Sequence, residues 1–202
     1  SAATVPHGLS SAPDFIIVKQ YNSNGWQWMC YHVSLGATKG LKLQSSLGEF
    51  TDSNLWNNTT PTSSVVTLGA HGSDTNNTGG TNIMYCWHSV AGYSKFGSYI
   101  GNGSPDGPYV DCGFRPAWVM WKETTAINSW VIIDATRDPY NSSFSSYLYP
   151  DLPLDEQTST TAIDILSNGF KIKTTNTELN ANTETYIYMA FAEQPGAFSN
   201  AR

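Results

Sequence analysis

The feature of this sequence that most constrains its fold is an internal repeat. Three short, mostly apolar segments of the first half recur in the second half, in the same order and with a nearly constant spacing of about 103 residues. The matched segments are residues 13–19 with 116–122, 28–32 with 130–134, and 81–87 with 185–191. The residue pattern is preserved more than the identities, which indicates an old duplication and predicts two structurally equivalent units.

Each repeat is predicted to consist of β-strands. Residues 15–19 form a short apolar run behind a proline, as expected for a strand buried on both faces. Residues 26–33 alternate between two faces at period two. Asn168-Gly169 predicts a tight turn between two strands, because this pair adopts positive φ at little cost. No segment has a sustained helical periodicity, so we expect an all-β protein with an antiparallel β-sandwich architecture.

The repeat predicts where the units begin and end. We expect a first β repeat over residues 1–98, a second over residues 99–195, and a polar, flexible tail over residues 196–202. The repeats can pack as one pseudo-twofold sandwich or as two small sandwiches in tandem, and the full apolar set of each repeat favours the second. Because the chain does not begin with Met, we expect it to be cut from a longer protein.

Composition and charge exclude several classes of partner. The formal net charge is -6 and only 13% of the residues are charged, which argues against binding to duplex nucleic acid. No apolar run approaches the roughly 18 residues of a membrane span, so no membrane insertion is expected. Aromatic residues make up 13% of the chain, which is too many for a disordered protein.

The three cysteines are widely spaced, at Cys30, Cys86 and Cys112. An odd number at such spacing fits neither a disulfide framework nor a zinc site. Buried free thiols are the preferred interpretation. A Cys30–Cys86 disulfide remains open if the two residues lie on neighbouring strands.

Seven motifs along the chain carry a resemblance to a known family. They are residues 6–9 (PHGL), 12–19 (APDFIIVK), 31–35 (YHVSL), 94–99 (SKFGSY), 113–116 (GFRP), 164–170 (DILSNGF) and 185–193 (TYIYMAFAE). In combination they resemble a duplicated β-rich repeat module from structural proteins of tailed bacteriophages, often marine ones. The resemblance covers about residues 6–195.

The resemblance implies a location and a set of partners. Such modules commonly form the C-terminal part of tail-fibre or tail-associated proteins, which implies a virion location at the phage tail or external surface. The implied partners are other virion proteins and a host cell-surface glycan or protein. Tail fibres are usually trimers, so the analogy implies a homo-oligomer. The family has no established catalytic residues, and none are assigned here.

The sequence gives only weak support for catalytic or metal-binding residues. Asp134 with Asp138, or Asp151 with Asp155 and Glu156, offer paired carboxylates of the kind used by glycosidases. Asp106 with Asp111, and Asp74 in a separate loop, offer oxygen ligands for calcium. Turn formation is the preferred interpretation of the three aspartates offered for calcium. We expect no catalytic residues, no metal and no cofactor.

Carbohydrate binding is the most attractive specific activity. Sugars stack on exposed aromatic rings and form hydrogen bonds with amide and carboxylate groups. The predicted ligand-binding residues are Trp56, Trp26, Asn57, Asn58, His32, Asp134, Tyr140 and Tyr147. For Trp56 the alternative is that its loop folds back and the ring caps an end of the sandwich, and for Tyr140 and Tyr147 such packing is the preferred interpretation. His32 and Asp134 occupy equivalent positions in the repeats, and a structural role is favoured for both. Trp28, Trp87, Trp118 and Trp130 lie in predicted strands and are expected in the core.

The leading hypothesis is a non-enzymatic virion module that recognises the host surface through polar loops bearing aromatic residues. The alternative is a purely structural virion decoration or fibre-assembly domain without its own ligand. A glycan-depolymerising enzyme is the least favoured hypothesis.

Overall fold

Strands make up nearly all of the regular secondary structure in the described residues. The computed structural model describes residues 1–22, 25–70, 74–138, 141, 146–158 and 162–193. The elements are β1 (Ala3–Pro6), β2 (Phe15–Gln20), β3 (Met29–His32), β4 (Lys39–Lys42), β5 (Phe50–Thr51), β6 (Val65–Leu68), β7 (Asn82–Trp87), β8 (Ser94–Ile100), β9 (Tyr109–Asp111), β10 (Pro116–Glu123), β11 (Val131–Asp134), β12 (Ser146–Tyr147), β13 (Gln157–Thr158), β14 (Ile163–Leu166), β15 (Gly169–Ile172), α1 (Thr177–Asn180) and β16 (Thr185–Ala192). All strand pairs are antiparallel, which confirms the predicted fold class.

The chain divides into two compact units between His88 and Ser89. The expected boundary after residue 98 must be corrected, because it would cut strand β8. Every residue of β8 pairs with β16, from Ser94 opposite Phe191 to Ile100 opposite Thr185. The first unit is therefore shorter than the repeat alone suggests. The tail predicted at residues 196–202 lies outside the described residues.

The first unit is a sandwich of two sheets. A five-stranded sheet has the order β5-β4-β3-β2-β7, and β1 pairs with β6 in a second sheet. Ile16 and Met29 of the large sheet pack with Val66 of β6 in one buried cluster. Only one face of the large sheet contributes to this cluster, because alternate residues along a strand such as β2 point to opposite faces. Burial of this apolar face stabilises the unit.

The second unit has its own sheets and its own core. One sheet has the order β11-β10-β16-β8 and another has the order β14-β15-β9, while β12 and β13 pair separately. Val119, Val131 and Tyr188 of the first of these sheets pack with Ile165 and Phe170 of the second. Each unit thus forms a sandwich of its own, as the tandem alternative predicts.

The strand register confirms the duplication. In both units a central strand lies between two antiparallel neighbours, in the orders β3-β2-β7 and β11-β10-β16. The equivalent cross-strand triplets are His32–Phe15–Trp87 with Asp134–Trp118–Phe191, and Tyr31–Ile16–Cys86 with Ile133–Val119–Ala190. The three matched sequence segments therefore occupy equivalent positions residue for residue. The units differ in the strands added outside these triplets.

The strand register also argues against the Cys30–Cys86 disulfide that the sequence left open. Cys30 lies opposite Ile17 and Cys86 lies opposite Ile16, on the two sides of β2. Ile16 and Ile17 are consecutive and point to opposite faces, so the two cysteines also face in opposite directions. Cys30, Cys86 and Cys112 are all free thiols.

Helical structure in the described residues is limited to α1, a single turn. Asn176 caps this turn, and its Oδ1 accepts a hydrogen bond of 2.9 Å from the Glu178 amide. No helix in the described ranges has the length and apolar character needed to cross a membrane.

Trp56 belongs to the core, which corrects its prediction as the leading ligand-binding residue and favours the alternative that its loop folds back onto the sandwich. Its side chain is completely buried, and its Nε1 donates a hydrogen bond of 3.0 Å to the Lys39 carbonyl oxygen. Its ring meets Tyr31 edge to face, with 5.6 Å between centroids. The polar residues around Trp56 in the sequence conceal this, because the loop folds back across the sheet and inserts the ring into the sandwich.

We expect Trp56→Ala to lower the free energy of unfolding by roughly 3–5 kcal/mol, the range for truncating a fully buried aromatic side chain. Trp28→Ala is the matched control, because 36% of the Trp28 side chain is exposed. Its cost should be clearly smaller. Denaturant unfolding of both variants measures the difference, and equal losses would contradict the assignment of Trp56 to the core.

Candidate ligand-binding groove

An open groove lies on the face of the first unit's large sheet that points away from the core cluster. Its volume is about 510 Å³, and its lining comes from residues 19–21, Gly25, Trp28, Ile83 and Tyr85. The exposed fractions are 36% for Trp28 and 40% for Tyr85. We call this site the aromatic groove, because two partly exposed rings flank its central residue, Lys19.

Backbone hydrogen bonds fix Trp28 just before β3. Its amide donates to Gln44 Oε1 at 2.8 Å, and its carbonyl accepts from the Leu43 amide at 3.0 Å. Gln44 in turn donates to the side chain of Gln27. These contacts fix the backbone of Trp28, and with it the point from which the ring extends, at the rim of the groove.

Lys19 lies in the middle of the groove, on β2. Its backbone pairs with Ile83 of β7, and its Nζ lies 5.6 Å from the centroid of the Trp28 ring. The same ammonium donates a hydrogen bond to the Trp26 carbonyl oxygen. A cation over an indole face is an attractive electrostatic contact. The structure thus holds a positive charge beside an aromatic surface that remains partly open.

A buried amide network supports the end of the groove. Gln20 is only 3% exposed. Its Nε2 donates to Asn22 Oδ1 at 3.0 Å, and its Oε1 accepts from Asn77 Nδ2 at 3.3 Å. Asn22 Oδ1 also accepts from the Thr81 amide at 2.9 Å. These contacts hold the segment that leads into β7 against the end of β2. They therefore fix the distance between the β2 and β7 sides of the groove at this end.

The β7 wall carries stacked rings. Tyr85 and Trp87 lie two residues apart on one face of β7, with centroids 6.1 Å apart and planes 18° apart. Ile83 lies one further step along the same face and is 40% exposed. The wall is therefore a continuous apolar strip with one side open to solvent.

The positions of the second unit that correspond to the groove residues are buried. Trp130 and Lys122, which correspond to Trp28 and Lys19, have exposed fractions of 1% and 0%. Met189 stands at the position of Tyr85 and is also buried. The prediction that Trp130 lies in the core is therefore confirmed, whereas the same prediction for Trp28 is wrong. Trp87 and Trp118 are intermediate.

Lys122 sits in an unusual electrostatic environment. Its Nζ donates to the Glu123 carbonyl oxygen at 2.6 Å, and burial lowers the pKa of Lys122 to about 8. Burial also raises the pKa of Asp151, whose Oδ1 accepts from the Trp130 amide at 3.2 Å. Asp151 thereby takes the place that Gln44 has in the first unit. The duplicated lysine is part of the second unit's interior rather than of a ligand site.

His32 and Asp134 share a structural role, as favoured from their equivalent positions. His32 Nδ1 accepts a hydrogen bond of 3.1 Å from the Ser34 amide, two residues further on. Asp134 Oδ1 accepts one of 3.0 Å from the Thr136 amide, also two residues further on. Both side chains therefore fasten the turn that leaves the strand. Their predicted role in ligand binding is not supported by this geometry.

The other predicted ligand-binding residues are divided between the two units. Asn57 and Asn58 are exposed in a turn with φ values of 51° and 55°, a backbone region that asparagine tolerates. Tyr147 is half-buried against Tyr149. Trp26 is half-buried and contributes its carbonyl to Lys19. Tyr140 lies outside the described residues.

The candidate carboxylate pair Asp134 and Asp138 is occupied by internal contacts. Arg137 bonds Asp134 Oδ2 at 2.8 Å and also forms an ion pair with Glu156. Asp138 Oδ2 accepts a hydrogen bond of 3.1 Å from the Ser146 amide. These contacts give the carboxylates a role in joining neighbouring loop segments.

The aspartates considered for calcium also have protein partners. Asp106 forms an ion pair of 2.8 Å with Lys171, which lowers the pKa of Asp106. Asp111 Oδ1 accepts a 3.2 Å hydrogen bond from the Tyr109 hydroxyl. In the part of the chain that the structure describes, no group of three or more His, Cys, Asp or Glu residues is placed to hold a metal.

Trp28, Tyr85 and Lys19, which line the groove, were not among the residues predicted to bind a ligand. The repeat itself misled the prediction, because Trp28 aligns with Trp130 and Lys19 with Lys122. The equivalence holds for the backbone, but the segments that surround the two sheets are different. The sequence did contain one usable signal. The position occupied by Met189 in the second repeat is occupied by Tyr85 in the first, which places an aromatic ring on the open face of the first unit only.

The low pKa of Lys122 predicts a specific pH dependence of stability. Between pH 8 and 10.5 the native lysine has lost a proton that the unfolded chain still holds, so stability rises with pH in this window. The free-energy advantage of Lys122→Met over wild type should therefore shrink from pH 7 to pH 10, by at most about 1.4 kcal/mol per pH unit.

Denaturant unfolding of both proteins across this pH range measures the effect. The difference between them cancels the titration of the groups that do not interact with Lys122, and its neighbours Glu123 and Asp151 are carboxylates. Lys95→Met, at an exposed lysine, is the control and should show no such trend. A wild-type-to-variant difference that stays constant with pH would contradict the buried, pKa-shifted lysine.

Comparison with known proteins adds one assignment to this geometry. A family model described as a domain of unknown function, DUF7483, matches residues 1–195. No curated protein matches the chain with significance, and no solved structure does. The family match spans both duplicated sandwiches, including the aromatic groove. The chain therefore belongs to the DUF7483 family.

Proposed function

We propose that this protein is a non-enzymatic binding module of a phage virion, located on the tail or external surface, and that it recognises a glycan of the host cell through the aromatic groove. The observation that carries the binding proposal is the exposure of Trp28 and Tyr85 on the sheet face of the first unit. The phage context rests on the resemblance of the sequence motifs.

The groove has the composition of a sugar site. Pyranose rings present apolar C–H faces that stack on indole and phenol rings, while their hydroxyl groups require polar partners. Trp28 and Tyr85 offer the rings, and the Lys19 ammonium has donors beyond the one used by Trp26. The exposed Tyr21 adds a further hydroxyl at the end of the groove.

The contrast between the units supports a role in binding rather than in folding. The two central strand triplets are equivalent, and the second unit buries the tryptophan that the first unit exposes. Trp28, which is 36% exposed, contributes less to the core than Trp130 does. Gln44 and Leu43 fix the backbone from which the Trp28 ring extends, which favours a preorganised surface for a ligand.

Within the same proposal, the module acts as a homo-oligomer, a trimer by analogy with tail fibres, assembled with other virion proteins. One shallow groove binds a sugar weakly, because few contacts must offset the loss of ligand freedom. Several identical grooves on one particle would raise the effective affinity without any new contact.

The test is binding of the fluorescently labelled chain to candidate bacterial host cells, with and without mild periodate oxidation of their glycans. We expect binding that is lost after oxidation. Trp28→Ala should weaken binding at least about tenfold, which corresponds to the loss of one ring contact. Tyr109→Ala is the matched control, because Tyr109 is 45% exposed but lies in the second unit.

Three outcomes would overturn the proposal. Binding that survives oxidation would indicate a protein receptor. Unchanged binding by Trp28→Ala would show that the groove is not the site. No binding to any candidate host would favour a virion decoration or fibre-assembly domain without its own ligand.

A further inference from the structure

The charge of the aromatic groove is opposite to that of the whole chain. The protein carries 16 acidic and 10 basic residues, for a net charge of -6. Residues 15–48 and 75–88, which supply the groove and four strands of its sheet, contain no Asp or Glu. The first of these ranges contains Lys19, Lys39 and Lys42. The groove is thus a local cationic region on an acidic protein.

Lys19 is the charge that the groove presents. Lys39 forms an ion pair with Glu49, and neither Lys39 nor Lys42 is among the residues that line the groove. Lys19 contacts a carbonyl oxygen and an aromatic face, which are neutral groups. Within the described residues, no carboxylate lies at ion-pair distance from its Nζ. The charge of Lys19 is therefore not neutralised by the protein.

We propose that the aromatic groove selects an acidic sugar, a pyranose that carries a carboxylate, over neutral sugars. This inference rests on the proposed glycan-binding function and specifies its ligand class. Trp28 and Tyr85 receive the apolar face of the ring, and Lys19 between them pairs with the carboxylate. A charge-assisted hydrogen bond is roughly twice as strong as a neutral one, so the carboxylate contributes selectivity as well as affinity.

The structure supports the placement of this charge in two ways. Lys19 is half-buried, so its charge is less screened by solvent than that of an exposed lysine. Its position is also fixed, because the Trp26 carbonyl and the Trp28 ring hold the ammonium. The cost of ordering this long side chain is thus met before a ligand arrives.

The experiment uses immobilised glycans in matched pairs. Oligogalacturonate, alginate, hyaluronan and sialyllactose each contain a carboxylate sugar, and carboxyl reduction converts each into a neutral counterpart of the same backbone. We expect the intact chain to bind at least one acidic member and to bind its reduced counterpart at least about tenfold more weakly. Binding to the acidic member should also weaken as the salt concentration rises from about 50 to about 500 mM.

Three variants complete the test. Lys19→Gln should abolish the preference for the acidic member, and Lys19→Arg should retain it. Lys95→Gln, which removes an exposed lysine of the second unit, should behave as wild type. Thermal unfolding of each variant shows whether the fold is intact.

The outcomes separate this inference from the function it rests on. Equal binding to acidic and reduced glycans, still lost in Trp28→Ala, overturns the acidic-sugar inference and keeps the groove as a glycan site. A preference that persists in Lys19→Gln overturns the assignment to Lys19. Failure to bind any acidic or neutral glycan overturns both proposals.

Discussion

The structure depends on the pairing of one central strand with two antiparallel neighbours. β2 lies between β3 and β7 in the first unit, and β10 lies between β11 and β16 in the second. The pleat sends alternate side chains of the central strand to opposite faces. One face builds the sandwich core, with Ile16 and Val119 at equivalent positions. The other face is free to differ, and the aromatic groove lies on that face of the first unit.

The repeat made the fold predictable within the matched segments, but not outside them. The matched segments correctly predicted that the two halves are equivalent. Phe15 lies opposite His32 in the first unit as Trp118 lies opposite Asp134 in the second, because apolar alternation and register survive divergence. The Asn168-Gly169 turn was equally clear, since β14 and β15 form the hairpin around it. β8 was missed because it belongs to no matched segment, and the unit boundary was misplaced for the same reason.

The site residues were harder to predict than the fold, because exposure depends on segments outside the repeat. Trp56 has polar neighbours in sequence, yet the loop carries its ring into the core, where Lys39 supplies a hydrogen-bond acceptor. Trp28 lies beside a predicted strand, yet the ring remains 36% exposed. Local sequence reports which residues can stack or donate. It does not report which neighbouring segments cover them.

Duplication followed by divergence gives a physical account of the groove. Lys19 and Lys122 share a position, but Lys122 is buried with a lowered pKa while Lys19 lies at an open surface. The second unit therefore carries the cost of a buried charge, and the first unit presents the same charge to solvent. We infer that the open copy is the functional one.

The most direct test of the central claim is proton–nitrogen NMR of the tryptophan indole groups during titration with a bound glycan. The chain has 7 tryptophans, and Trp28→Phe assigns the signal of Trp28. We expect the Trp28 indole signal to move with saturation while the signals of buried Trp56 and Trp130 stay in place. A saturable shift at tryptophans of the second unit, with Trp28 unchanged, would contradict this expectation.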